Sequence, residues 1–394
     1  MRALDAELAA ALELRRAARR DRCRTIVESR SAACTRLRIG DRDCLAFCSN
    51  DYLGLADHPA VTEAFVDAAR RWGVGSGASH LVCGHSREHH ALEEELAAFT
   101  GRPRALVFST GYMANLAVIR ALTGRGDLVL EDRLNHASLI DAGLASGARL
   151  RRYPHGDVAV LRARMAGGQG RRRLVATDGV FSMDGDVPPL AELAAACREH
   201  DAILFVDDAH GFGVLGERGR GAVELAGLAP DEVPVLVCTL GKAAGTFGAF
   251  VSGAAELVET LAQGAREYIY TTALPPAVAA ATRAALHVIQ DEPWRRRAVL
   301  AHAARFRREA TKLGLRLTQS ASPIQPLLLG SESAALAASA ALHESGIFVP
   351  AIRPPTVPPG TSRLRITFSA AHSESDLDRL LESLATLRSR GLLE

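Results

Sequence analysis

Six short apolar runs punctuate residues 105–251, set apart by stretches of helical periodicity, and this alternation constrains the fold more than any other feature of the chain. The runs are Ala105–Phe108, Leu128–Leu130, Leu174–Thr177, Ile203–Val206, Val235–Cys238 and Ala249–Val251, with helical stretches such as 88–99, 112–122 and 189–199 among them. Strands that are apolar throughout, rather than at every second residue, belong to a mostly parallel sheet covered on both faces. The expected class is therefore α/β with a mostly parallel central sheet. From about residue 276 a long helix leads to strands near 324–329 and 363–368 and helices at 333–345 and 373–388, the pattern of a smaller α+β lobe. A helix over 4–20 and strands near 36–39 and 44–48 would complete that lobe. The expected division is 1–50, packing with the small lobe, 51–275 as the large α/β domain, and 276–394. No internal repeat, low-complexity tract or flexible linker interrupts the chain.

Ligands of open α/β sheets sit at the carboxyl ends of the strands, so the residues just after each run matter. The five tails are Ser109-Thr110-Gly111-Tyr112, Glu131-Asp132-Arg133-Leu134-Asn135-His136, Asp178-Gly179-Val180-Phe181-Ser182, Asp207-Asp208-Ala209-His210 and Thr239-Leu240-Gly241-Lys242. Five successive strand ends thus deliver polar or titratable groups to one rim.

Each tail has a functional and a structural reading. Ser109 to Tyr112 opens a helix, so its free N–H groups suit an anion; a plain N-cap fits equally well. Asp207 follows an apolar run, where a carboxylate is costly without a cationic partner. That partner could be a protonated ring nitrogen, with His210 reaching the same ligand; a metal held by Asp207 and His210, or an N-cap, is not excluded by the spacing. His136 could stack on a flat ring or be structural.

Composition decides the reading of Lys242. Of 47 basic residues only Lys242 and Lys312 are lysines. A lysine that persists where lysines are otherwise replaced marks a place arginine cannot serve, because only the amine can lose its proton and attack a carbonyl. Lys312 lies in an Arg-rich amphipathic stretch and reads as surface. Lys242 ends an apolar run and enters a Gly-rich turn, where reduced solvation favours the free amine.

Several classes fall away. Net charge is +2 with mixed signs, which argues against nucleic-acid binding. No run of about 18 uncharged apolar residues is present, and residues 1–24 lack the apolar stretch of a signal peptide. The seven cysteines are scattered, without a CxxC pair, which suggests reduced thiols in the cytoplasm rather than disulfides or a metal site.

The motifs together resemble the α-oxoamine synthases, pyridoxal 5'-phosphate (PLP) enzymes of fold type I, the aspartate-aminotransferase-like fold of PLP-dependent transferases. The motifs are Ser49-Asn50-Asp51-Tyr52-Leu53-Gly54-Leu55, Gly75-Ser76-Gly77, DGVFSMDGD over 178–186, VDDAHG over 206–211, Thr239 to Lys242, and AIRPPTVPPGTSRLRIT over 351–367 followed by Ser369-Ala370-Ala371-His372. The 351–372 segment and residues 12–24 are most similar to the branch that joins L-alanine to a pimeloyl thioester in biotin biosynthesis. That resemblance implies a homodimer using pimeloyl-CoA or a pimeloyl-carrier protein. It implies that Lys242 forms the Schiff base, His136 stacks on the PLP ring, Asp207 pairs with its nitrogen, His210 bonds its hydroxyl and Ser182 lies near the same edge. Ser109, Gly111, Tyr112 and Thr239 would hold the phosphate, with Thr271 or Thr272 reaching a neighbouring subunit's phosphate. Arg365 would grip the amino-acid carboxylate, Arg22 and Asn50 would serve the acyl substrate, and Thr356 joins the substrate-binding set. Two positions depart from the family pattern: Asp178 stands where Glu is usual, and Ala243 where Gly commonly follows the lysine. A sister enzyme using glycine and a shorter acyl group, a PLP aminotransferase and a non-catalytic protein on the same fold are the competing readings.

Overall fold

A computed structural model describes residues 2–168 and 170–393. It divides into two compact units: Asn50–Ser182 with Asp186–Ala298, and Met1–Ser49 with Met183–Gly185 and Val299–Glu394. The helix Pro276–Asp291 belongs to the larger unit because it packs on the helices Pro59–Trp72 and Arg87–Thr100. The single long helix expected from 276 is two, Pro276–Asp291 and Trp294–Lys312, parted at Glu292-Pro293. Proline disfavours helical geometry in the residue before it, which sets that break.

The larger unit is built on a seven-stranded sheet. Its spatial order is Arg104–Phe108, Ala249–Gly253, Val235–Thr239, Ala202–Asp207, Arg173–Asp178, Leu128–Asp132 and Arg149–Tyr153. Every neighbouring pair is parallel except the two made by Ala249–Gly253. All five residues of Leu128–Asp132 and of Ala249–Gly253 are buried. Successive strand residues point to opposite faces, so burial of all five means that both faces are covered. That is why these strands read as unbroken apolar runs. Arg149–Tyr153, sequence RLRRY, is the exception: it lies at the sheet edge and is partly exposed. Its arginines suit an edge strand but hide it from any apolar pattern.

The smaller unit holds two sheets. Ile324–Gly330 pairs antiparallel with Ser362–Thr367, which also pairs with Ala351–Ile352. Ser29–Ser31, Arg36–Ile39 and Arg42–Ala46 form a second sheet, joined in parallel by Ile347–Phe348. Residues 183–185 belong here through Arg363, which donates to Met183 O at 2.9 Å and to Asp184 Oδ1 at 2.6 Å. Gly185 has φ +76°, and a Cβ there would lie 2.4 Å from Ile324 O, so no other residue fits.

One polar device near the sheet is open to a direct test. His155 contacts Asp132 Oδ1 at 3.0 Å through Nδ1 and Asp186 Oδ2 at 2.9 Å through Nε2, and its ring meets Phe181 edge-on at 4.4 Å. Burial works against the imidazolium, but the hydrogen bonds and charges of Asp132 and Asp186 overcome it and push the pKa up to about 10. A raised folded-state pKa stabilises fully below the unfolded value, about 6.5, and that stabilisation fades as pH rises towards 10. The side chain is 32% exposed, so solvent screens the pair. His155→Gln should cost on the order of 1 kcal/mol at pH 6, and the deficit should shrink by pH 10. Thermal melts across this range decide it; a deficit independent of pH refutes the charged state.

Candidate active site

The carboxyl ends of four parallel strands and the turn after a fifth carry the polar groups of the larger unit. The geometry begins with Lys242, half-buried in the turn after Val235–Thr239. Its Nζ lies 2.9 Å from His210 Nε2. On the other side of that imidazole, Nδ1 lies 2.7 Å from the Tyr52 hydroxyl, which donates to Asn50 Oδ1 at 3.2 Å. The two ring nitrogens of His210 thus bridge the Tyr52 hydroxyl and Lys242 Nζ. The imidazole is thereby oriented by a buried tyrosine, 0% exposed, at the start of the unit.

Asp207, the last residue of its strand, is 5% exposed. Its Oδ2 accepts from Asn115 Nδ2 at 2.6 Å and its Oδ1 from Ala209 N at 3.1 Å. Asn115 also donates to Ser138 Oγ at 2.8 Å. No Arg or Lys forms an ion pair with Asp207 among the described residues. On the adjacent strand Asp178 stands directly opposite it in register. Burial first, and the charge of Asp207 second, raise the Asp178 pKa well above the ordinary carboxylate value. Two buried carboxylates side by side, opposed among charged side chains by Lys242, make a place that favours a further cation. A protonated pyridine nitrogen meets that demand, so these residues fit pyridoxal phosphate.

His136 is the N-cap of the helix Ala137–Ala145 and its Nδ1 lies 2.7 Å from Ser138 Oγ. Its backbone N–H donates to Asp178 Oδ2 at 2.7 Å. Although the residue as a whole is exposed, partial desolvation of the ring lowers its pKa; Asp207 opposes this and Lys242 reinforces it. A neutral ring with an open face is suited to stacking. Asp178, the shortened member of its motif, thus holds the loop that presents His136.

The anion site has the form expected of a helix start. The helix Gly111–Leu122 follows Arg104–Phe108 directly, and Thr110 Oγ1 caps it by accepting from Met113 N at 3.2 Å. This leaves the first-turn N–H groups of Gly111 and Tyr112 to an incoming anion. The Tyr112 hydroxyl donates to Asp141. Ser109 and Ser182 are half-buried. Thr239 Oγ1 donates to Gly248 O at 3.0 Å, which fixes the start of the Lys242 turn. Thr271 and Thr272 lie in the segment before the helix Pro276–Asp291 and make no side-chain hydrogen bond among the described residues.

In the smaller unit, Arg22 Nη2 donates to Thr356 Oγ1 at 3.0 Å, and Arg353 holds the same N-terminal stretch through the carbonyls of Arg19 and Asp21. Arg365 is 7% exposed on the strand Ser362–Thr367.

Two residues with evident roles were absent from the sequence reading of the site. Asn115 orients Asp207, and its position one helical turn after Gly111 was the available clue. Tyr52 orients His210 from more than 150 residues away; it lies in the Ser49 to Leu55 motif, but nothing in that motif links it to His210.

The aminotransferase class I and II family model matches residues 42–384. The chain is 62% identical over 364 residues to an 8-amino-7-oxononanoate synthase of Methylococcus capsulatus, covering 92% of this chain and 94% of the relative. It is 57% identical to the corresponding synthase of Saccharophagus degradans, covering 97% and 96%. Among solved structures it is similar to a serine palmitoyltransferase from S. paucimobilis with bound PLP–myriocin, with TM-score 0.91, 31% identity, and coverage of 94% and 93%.

Proposed function

From the chain's membership of the 8-amino-7-oxononanoate synthase family, within the aminotransferase class I and II group, we infer that it condenses L-alanine with a pimeloyl thioester, releasing the thiol and CO2. It is a PLP-dependent acyltransferase of biotin biosynthesis. The observation that carries the site assignment is the Lys242–His210–Tyr52 chain in the same unit as the buried Asp207 carboxylate that Asn115 orients. Mixing the purified protein with alanine and pimeloyl-CoA should release free thiol and CO2. Transamination of alanine without thiol release, or faster turnover of glycine with acetyl-CoA, would replace this reading.

The residues divide the work. Lys242 is the covalent anchor, Asp207 the partner of the ring nitrogen, His210 the partner of the ring hydroxyl, and His136 the stacking group. Ser182 lies at the same ring edge. Ser109, Gly111, Tyr112 and Thr239 are the candidates for the phosphate. When bound, PLP withdraws electrons from the amino-acid carbon. Lys242 would hold PLP covalently and, as the free amine, would accept the alanine Cα proton at Nζ. His210, its ring held in place by Tyr52, lies 2.9 Å from that nitrogen and keeps it in position. Asp207, whose carboxylate accepts from Asn115 Nδ2 and the Ala209 N–H, would pair with the ring nitrogen. His136, presented by Asp178, orients groups above the ring.

Arg365 is our candidate for the alanine carboxylate, which a guanidinium can bind at two points. Arg22, Thr356 and Asn50 are the candidates for the acyl substrate, carried on coenzyme A or a carrier protein. Arg22 has a neutral hydrogen-bond partner and no ion pair among the described residues, so its charge is available to the distal pimeloyl carboxylate. Arg22→Ala should raise the KM for pimeloyl-CoA far more than that for alanine, by about 1.5–3 kcal/mol in binding terms. The pimeloyl methyl ester should be poor with the wild type and little different with the variant. Equal sensitivity of both proteins to the ester removes Arg22 from this role.

We further infer a cytoplasmic homodimer with shared sites. No helix among the described residues is long and apolar enough to cross a membrane. Tyr270, in the segment of Thr271 and Thr272, is 71% exposed, as a residue reserved for a partner subunit would be in one chain. Mixing Lys242→Ala subunits with a Thr271→Ala/Thr272→Ala variant should restore part of the activity. Verified mixed dimers without restored activity would refute sharing.

A further inference from the structure

Away from the rim, residues 80–93 gather four imidazoles and a buried carboxylate with no part in the proposed reaction. His80, in the short helical turn His80–Gly84, stacks on Tyr268 at 4.8 Å and meets His89 edge-on at 5.1 Å. His89 Nε2 lies 2.6 Å from Leu274 O, so this pair is pinned to the body of the unit. His85 Nδ1 lies 3.0 Å from His80 Nδ1, which leaves His85 Nε2 directed elsewhere. It points towards Glu93, whose Oε2 is 4.0 Å away. Glu93 is 8% exposed and its Oε1 accepts from Val107 N at 3.0 Å, so Oε2 is the oxygen left over. His90 stands three residues before Glu93 on the helix Arg87–Thr100, on the same face.

We propose that His85, His90 and Glu93 bind a divalent transition-metal ion, with zinc(II) as the ion of choice. One nitrogen or oxygen of each residue lies within 4.8 Å of the others. Ligands on one zinc ion, each about 2.0–2.2 Å from it, sit closer together than this, so one side chain must move inward. His90 is free to do so: its side chain is 64% exposed, beside the equally exposed Glu94 at 3.5 Å. The other two ligands are already oriented through their second atoms, His85 by His80 and Glu93 by Val107, as metal ligands are held. Two imidazoles and one carboxylate suit zinc better than magnesium or calcium, which favour all-oxygen sets, and water fills the fourth position. The ion would fasten the turn at His85 to the helix that follows it. The assignment does not depend on the reaction catalysed at the strand ends.

The test is calorimetric titration of the tag-free, PLP-loaded protein with zinc(II) after dialysis against chelator. One ion per chain is expected. His90→Ala and Glu93→Gln should each weaken binding by at least about tenfold, the lower bound for losing even an indirect support of a metal. Glutamine retains an oxygen for Val107 N while removing the charge. His287→Ala, which changes another exposed histidine, should leave the titration unchanged. Absence of stoichiometric binding, or unaltered affinity in His90→Ala, overturns the proposal. Should Glu93→Gln fail to fold, the exposed His90 variant decides alone.

Discussion

Borohydride reduction of the PLP-loaded protein, followed by peptide mapping, should place the label on Lys242, and Lys242→Ala should lose about 10³-fold or more in kcat. The chain offers two lysines. Lys312 is exposed, ion-paired with Glu309 at 3.0 Å, and ends the helix Trp294–Lys312, away from any strand end. Lys242 instead lies 2.9 Å from His210 Nε2 in a half-buried turn. In the proposed roles, removing it takes away both the covalent anchor and the base, and a general base alone is worth about 10²–10⁴-fold. Lys242→Arg should be equally inactive, because a guanidinium keeps its proton. A label on Lys312, or substantial turnover by either variant, would overturn the site assignment.

Asp207→Asn should keep the fold and lose more than about a hundredfold in rate, roughly 3 kcal/mol of transition-state stabilisation. An amide cannot balance a charged ring nitrogen. The fold should survive because asparagine retains an oxygen for the Asn115 amide. Stability should hold or rise: Asp207 is the charge that, after burial itself, most raises the Asp178 pKa. A raised carboxylate pKa is a destabilisation that begins above the unfolded value, about 3.9, and is complete once pH exceeds the folded one. Without the neighbouring charge, Asp178 ionises more easily at neutral pH. Activity assays and thermal melts on the same preparation separate the two effects. Near-wild-type turnover would contradict the role given to Asp207; a large fall in Tm would mark it as structural.

The strands that carry the site were legible because burial on both faces forces each to be apolar throughout. Ala202–Asp207 and Val235–Thr239 were therefore readable to within a residue. The polar edge strand Arg149–Tyr153 was not, since solvent on its flank permits the arginines that mask it. Lys242 stood out by composition and Asp207 by following an apolar run. Asn115 and Tyr52 act only through distances of 2.6 and 2.7 Å set by tertiary packing. Asp178 was readable as a departure from a motif, but its hold on the His136 backbone was not. Likewise His85, His90 and Glu93 have unremarkable spacing, and only the helix face and the Val107 N–H bring their ligand atoms together.

The reversed strand Ala249–Gly253 has a consequence for how the molecule is made. Arg104–Phe108 pairs with no other strand of the sheet, so it must wait until more than a hundred further residues have left the ribosome. Until then it is an apolar segment with open backbone edges, prone to mispairing. The turn Ser109–Tyr112 that it supports cannot be fixed earlier. Long-range closures of this kind fold slowly, and a nascent chain that stops short of residue 249 would carry most of the sheet yet lack a formed anion site. Completion of the proposed phosphate site would thus be a late event in biosynthesis, and cofactor capture during synthesis should follow emergence of that strand.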